Sequence, residues 1–161
     1  MISLPSIARL SSELNDLDDC ELKGISAGPV RKSDKTLDYY NWEGSITGLA
    51  GSYYEGGKIK FKLVFSSDYP EDAPEVVFTP PLYHPRVLQT AESPGHMCVP
   101  CLQAGTYKSG VKLGSVLAEI LDLVRKPEGD TDLGIAKVLK NDPEAFKAKC
   151  QEWVKTNCLA K

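Results

Sequence analysis

Between residues 58 and 65 the chain alternates with a period of two. Ile59, Phe61, Leu63 and Phe65 are apolar, and Lys58, Lys60 and Lys62 stand between them. Such a segment is a strand with one face in a core and the other in water, a state typical of antiparallel sheets. The lysines read as its solvated face, with a binding patch as the lesser alternative. Tyr40, Trp42 and Ile46 alternate with Asn41, Glu43, Ser45 and Thr47 to give a second strand. Residues 75–79, stopped by Pro80-Pro81, give a third. Gly51-Ser52-Tyr53-Tyr54-Glu55-Gly56-Gly57 suits the connection between the first two.

Helical spacing is found on either side of these strands. Ile7, Leu10, Leu14 and Leu17 predict a first helix, with Ser3 and Pro5 at its start and Arg9, Ser12, Glu13 and Asp16 on its polar side. Residues 18–36, with Gly28-Pro29, read as turn-rich. Leu113, Val116, Leu117, Ile120, Leu121 and Val124 form a broad apolar stripe that ends at Lys126-Pro127-Glu128-Gly129. A short helix is expected over 132–140. A last helix is expected from Asn141-Asp142-Pro143-Glu144, with Glu144 at the capping-box position and Phe146, Cys150, Trp153 and Val154 on its buried side. Helix, strands, irregular segment and helices in that order indicate an α+β fold. A chain of 161 residues without repeats or a linker is expected to form one domain over 1–161.

With 42% hydrophobic and 25% charged residues, wholesale disorder is excluded. No apolar run is long enough to span a bilayer, so no membrane partner is expected. A net charge of −3 argues against a nucleic-acid partner. The start, MISLPSIARL, lacks the pattern of a secretory leader. The expected location is therefore the cytoplasm or nucleus, where thiols stay reduced. The five cysteines, Cys20, Cys98, Cys101, Cys150 and Cys158, are an odd number, and there are two histidines, His84 and His96.

Residues 80–112 show no clear period and hold both histidines and the pair Cys98-Val99-Pro100-Cys101. Connections of this length inside a compact domain are often functional. Four readings of the pair are open. A redox dithiol wants its first cysteine at a helix start, and no helical pattern surrounds this one. A zinc site wants four ligands at recognisable spacing, which the remaining cysteines and histidines do not supply. The others are idle thiols, or a single nucleophile attacking an acyl or thioester carbonyl. Phosphate-binding loops, dinucleotide fingerprints, zinc-protease motifs and nucleophile elbows are absent.

Several short motifs occur in a telling order. Arg9-Leu10-Ser11-Ser12-Glu13-Leu14-Asn15-Asp16-Leu17 is followed by Ser26-Ala27-Gly28-Pro29-Val30. Trp42-Glu43-Gly44-Ser45-Ile46-Thr47-Gly48 and Tyr54-Glu55-Gly56-Gly57 come next. Asp68-Tyr69-Pro70, Ala73-Pro74, Tyr83-His84-Pro85 and Gly95-His96-Met97-Cys98-Val99 complete the series. Together they resemble the ubiquitin-conjugating enzymes over residues 7–156. The resemblance implies that family's α+β fold, with an N-terminal helix, a four-stranded antiparallel meander and C-terminal helices packed on it. It implies that Cys98 accepts the carboxy-terminus of ubiquitin, or of a ubiquitin-like protein, as a thioester. The acyl group would come from an activating enzyme and pass to a substrate lysine or to a RING- or HECT-type ligase. No metal or organic cofactor is implied, because the activating enzyme consumes the ATP.

Other residues carry over position by position. Arg86 stands where the family has the Asn of its H-P-N motif, a residue credited with oxyanion stabilisation or loop bracing. Asp130, Thr131 and Asp132 are candidates for the gate that orients the incoming lysine. Arg9, Glu71, Lys108 and Ser109 fall on the face for activating enzyme and ligase, and Ser26 on the position for backside ubiquitin. Glu71, Lys108 and Ser109 depart from the usual residues there, which implies a different or dedicated ligase. Eleven residues separate Arg86 from Cys98, more than the family usually has, and the extra residues 88–93 are expected to bulge near the site. These departures keep an alternative open: a catalytically impaired module of the same fold that binds ubiquitin and a ligase without transferring.

Overall fold

The computed structural model describes residues 4–19, 22–48 and 50–158. Ser3, expected at the first helix start, and Cys20 lie outside them. In chain order the elements are α1 (Leu4–Asp19), β1 (Ile25–Arg31), β2 (Leu37–Thr47), β3 (Lys58–Val64) and β4 (Glu75–Phe78). They continue with a short 3-10 turn (Pro100–Leu102), α2 (Leu113–Arg125), α3 (Leu133–Asn141) and α4 (Pro143–Asn157). The strands form one antiparallel meander in the order β1-β2-β3-β4. No described helix is long and apolar enough to cross a membrane.

The alternation in β3 does what its period dictates. Ile59, Phe61 and Leu63 are buried, with Trp42 and Ile46 of β2 and Val76 and Phe78 of β4 in the same core cluster. The cluster also takes the α2 stripe, from Leu113 to Val124. Lys58, Lys60 and Lys62 emerge on the other face. There they line a shallow cavity of about 340 Å³ together with Ser26, Ser45 and Thr79. Ser26 and Ser45 are directly opposed across β1 and β2.

Three sequence expectations need correction. Residues 18–36 are not merely turn: they contain the first strand, β1. Gly28-Pro29 lies within it, and the register with β2 shifts between Pro29 and Val30, so the proline is accommodated at an irregularity. The cap of α4 is Asp142, whose carboxylate accepts from the Ala145 N–H, with Pro143 at the first helical turn. That places Glu144 one position short of the capping-box site.

The third correction is Glu13, read from its spacing as solvent-facing. Its side chain is 1% exposed. Its carboxylate accepts from the backbone N–H of Leu113 at 2.6 Å, at the start of α2, and from the Tyr69 hydroxyl at 3.3 Å. Arg9 and Lys112 approach the other oxygen at 3.8 and 3.9 Å. A buried carboxylate at a helix N-terminus is stabilised by the free N–H groups and by the helix dipole. One residue therefore joins α1, α2 and the loop carrying Tyr69. Glu13→Ala is expected to cost about 3 kcal/mol in urea denaturation, because it breaks a buried, charge-assisted network. Asp16→Ala, which removes only an exposed ion pair with Lys112, is expected to cost under about 1 kcal/mol. Equal costs would contradict the assignment.

Candidate active site around Cys98

The segment 80–112, aperiodic in sequence, is held in place by backbone hydrogen bonds. The Cys98 N–H donates to the Arg86 carbonyl at 2.9 Å, and the Leu88 N–H donates to the His96 carbonyl at 2.9 Å. Residues 86–88 and 95–98 are thus two arms of a hairpin. Its second arm runs along the edge of β4: Phe78 N–H donates to Gly95 O at 2.7 Å and Met97 N–H to Val76 O at 2.9 Å. Along this arm Met97 and Val99 are buried while His96 and Cys98 are partly exposed. The period of two therefore delivers the Cys98 thiol outward from a backbone anchored on both sides. Gly95 permits the close approach. Its φ is +83°, and a Cβ there would lie 2.0 Å from the Phe78 carbonyl oxygen.

Residues 88–93 form the turn of this hairpin. Its closing bond, Gly95 N–H to Leu88 O, is three residues from Cys98. At about 3.3 Å per extended residue, the turn begins roughly 10 Å along the arm from the thiol. The extra residues thus sit at the closed end of the hairpin, with the cysteine at the open end.

His84 anchors the first arm. It is fully buried. Its Nδ1 accepts from the Arg86 N–H at 3.0 Å, so Nε2 carries the proton and donates to the Leu123 carbonyl of α2 at 2.7 Å. Burial holds the ring neutral, with its pKa down at about 4; the Leu123 carbonyl opposes this and the Arg86 charge adds to it. His84 is thus a positioning group with both nitrogens engaged.

Arg86 is linked to Cys98 through its backbone, whereas its side chain packs at Glu128 and Gly129. Nη2 lies 3.8 Å from Glu128 Oε1. A Cβ on Gly129, whose φ is +116°, would lie 2.6 Å from Arg86 Cγ, so the side chain rests on bare backbone there. Arg86 Nε is buried without a partner. The gate candidates adjoin the same strut. The Asp132 N–H donates to the Pro85 carbonyl at 2.8 Å, and its carboxylate caps α3 through the Ile135 N–H at 3.0 Å. Thr131 is half-buried and Asp130 is exposed. Of the three, Asp132 has its carboxylate already committed to a helix end.

The other half of the cysteine pair differs from the first. Burial, together with a hydrogen bond to Glu119 of α2, pushes the Cys101 thiol up to about 12. That thiol is protonated at neutral pH. It is no match for a redox dithiol, which needs a ready thiolate. Cys98, Cys101, Cys150 and Cys158 are all free thiols. Among the described residues no group of three or more His, Cys, Asp or Glu is placed to hold a metal ion. Sequence reasoning missed Gln103, whose side-chain amide lies against Cys98 Sγ. It also missed Glu128. Neither carries a motif, so only the geometry reveals them.

The loops carrying the expected partner-facing residues are joined to one another. Arg9 donates to the Val111 carbonyl at 3.0 Å and lies over the Tyr69 ring at 5.7 Å. Tyr107 donates to the Pro70 carbonyl at 2.6 Å, joining the loop of Glu71 to the loop of Lys108 and Ser109. Glu71, Lys108 and Ser109 are exposed, whereas the Arg9 side chain is 22% exposed and largely committed to these internal contacts.

This fold agrees with comparison to known proteins. The family profile described as "Ubiquitin-conjugating enzyme" matches residues 9–154. The chain belongs to the ubiquitin-conjugating enzyme family. It is similar to the protein named "Ubiquitin-conjugating enzyme E2 14" from Schizosaccharomyces pombe (strain 972 / ATCC 24843), with 34% identity over 151 residues, covering 92% of each chain.

The His84 geometry makes a stability prediction. The imidazole pKa is about 6.5 when unfolded and about 4 when folded, so between these values the unfolded chain binds the proton and the native one does not. The stabilisation is complete above pH 6.5 and is lost as pH falls toward 4. From pH 6.5 to 5 the unfolding free energy in urea is expected to drop by about 2 kcal/mol. His84→Gln is expected to flatten that slope; an unchanged slope would contradict the assignment.

Proposed function

We propose that Cys98 carries ubiquitin, or a ubiquitin-like modifier, as a thioester between an activating enzyme and a substrate lysine or a ligase. The observation that supports this most is the Cys98 thiol itself. It is partly exposed between buried Met97 and Val99 and borders a groove of about 160 Å³ lined by Pro74, Glu75, Val76, His96, Leu102 and Gln103. Such a groove beside a nucleophile suits an extended peptide end. Thiol and thioester exchange needs no strong base. Transfer to lysine demands more: a neutral amine, a fixed carbonyl and a donor for the developing oxyanion.

In this reading Arg86 braces the site. Its backbone fixes Cys98 on one side, and its side chain links the hairpin to the Glu128–Gly129 turn, next to the gate candidates Asp130, Thr131 and Asp132. The surface formed by Arg9, Glu71, Lys108 and Ser109 receives the activating enzyme and ligase. Ser26, beside the lysine-lined cavity, marks the backside position for non-covalent ubiquitin.

A charging assay with activating enzyme, ATP and ubiquitin tests the carrier reading. A reducible adduct is expected for the wild type and for Cys101→Ser, and none for Cys98→Ser. Loss of the adduct in Cys101→Ser as well, with the protein still folded, would count against a single nucleophile. For the brace, Arg86→Ala is expected to charge to the wild-type extent but to discharge to free lysine roughly 10- to 100-fold more slowly, the scale set by misplacing a reacting group. Unchanged discharge would remove Arg86 from the mechanism.

A further inference from the structure

The tetrahedral intermediate of lysine transfer places a negative oxygen one bond beyond the carbon attached to Cys98 Sγ. It needs a hydrogen-bond donor within about 3 Å. Two other candidate donors lie against other parts of the chain. The guanidinium of Arg86 lies against Gly129 and Glu128, and both nitrogens of His84 are bonded inside the core. Gln103 is different: its side-chain amide lies against Cys98 Sγ and lines the same groove.

The backbone of Gln103 is held in place although its side chain is exposed. Its N–H donates to the Pro100 carbonyl at 3.3 Å. Its own carbonyl accepts from the Thr106 N–H at 3.0 Å and the Tyr107 N–H at 2.9 Å. Tyr107 is tied to Pro70, and Cys101 of the turn beneath packs against the core. An amide aimed at the sulfur from so fixed a base remains within reach of an oxygen that forms beside it.

We propose that Gln103 is a catalytic residue whose side-chain amide donates to the oxyanion formed on the thioester carbonyl. The proposal rests on Cys98 being the thioester carrier. In the step itself, a neutral lysine amine attacks the carbonyl carbon, and the C=O π pair moves onto oxygen, where the Gln103 N–H meets it. The pair then returns, the carbon–sulfur bond breaks, and an amide is left. The amine's displaced proton ends on the departing Cys98 sulfur, so amine and thioester give amide and thiol. Gln103 neither gains nor loses a proton, which suits a carboxamide.

The test separates charging from discharge in Gln103→Leu, Gln103→Glu and Gln103→Asn. The side chain is exposed, so all three are expected to unfold at the wild-type temperature; each is first charged with ubiquitin to completion, and discharge is normalised to the charged protein. In single-turnover discharge to free lysine, Gln103→Leu is expected to lose about 10-fold or more in maximal rate, a modest share of the loss seen when an enclosed oxyanion donor is removed. The lysine concentration giving half that rate is expected to stay the same. Gln103→Glu, which sets a carboxylate against the oxyanion, is expected to fall below Gln103→Leu. Gln103→Asn, which keeps the amide, is expected to lie above it. Discharge by Gln103→Leu within twofold of a normally charging wild type overturns the role of Gln103 alone. So does equal loss in all three variants, which would mean simple packing. Failure of the wild type to charge overturns the carrier reading and this proposal with it.

Discussion

The neutral imidazole of His84 connects three parts of the molecule that are distant in sequence. Through Nε2 it is bonded to the carbonyl of Leu123 in α2, and through Nδ1 to the N–H of Arg86. Arg86 in turn fixes the N–H of Cys98. Cys98 is therefore referred to the central helix through two side-chain bonds and one backbone bond. Burial secures this arrangement, because it keeps the ring uncharged and so preserves one donor and one acceptor on opposite edges. A protonated ring would offer two donors, and the Arg86 N–H would lose its acceptor.

Glu13 plays the corresponding part on the neighbouring face. It holds the start of α2 to α1 and to Tyr69, while Arg9 reaches past it to Val111. The loops that present Glu71, Lys108 and Ser109 are thereby set against the same helix that His84 uses to place Cys98. The helix α2, whose apolar stripe is buried from Leu113 to Val124, gives both the Cys98 segment and the loops of Glu71 and Lys108 a common frame. Sites supported in this way can hold reacting groups to the tolerance that transfer chemistry needs.

Much of this was legible in the sequence where a single period dominated. The β3 alternation and the α2 stripe stand where their spacing puts them, and α3 begins at Leu133 behind its Asp132 cap. Strand β1 was hidden because Gly28-Pro29 signals a turn, whereas the sheet absorbs the proline at a register shift. Glu13 was misplaced because helical spacing records polarity but not what packs opposite; a backbone N–H from a helix a hundred residues away leaves no local trace. The motif order gave Cys98 and Arg86. It could not give the direction of the Arg86 guanidinium, which depends on bare backbone at Gly129, or the reach of Gln103 to the sulfur.

The central claim is that this scaffold presents one nucleophile, Cys98, for acyl transfer. The direct measurement is peptide mapping by mass spectrometry of the protein charged with ubiquitin and digested without reductant. The account predicts the carboxy-terminal remnant of ubiquitin on Cys98, released by reductant, with Cys101 unmodified. A remnant on Cys101, or one joined to a lysine with no thioester preceding it, would contradict the account.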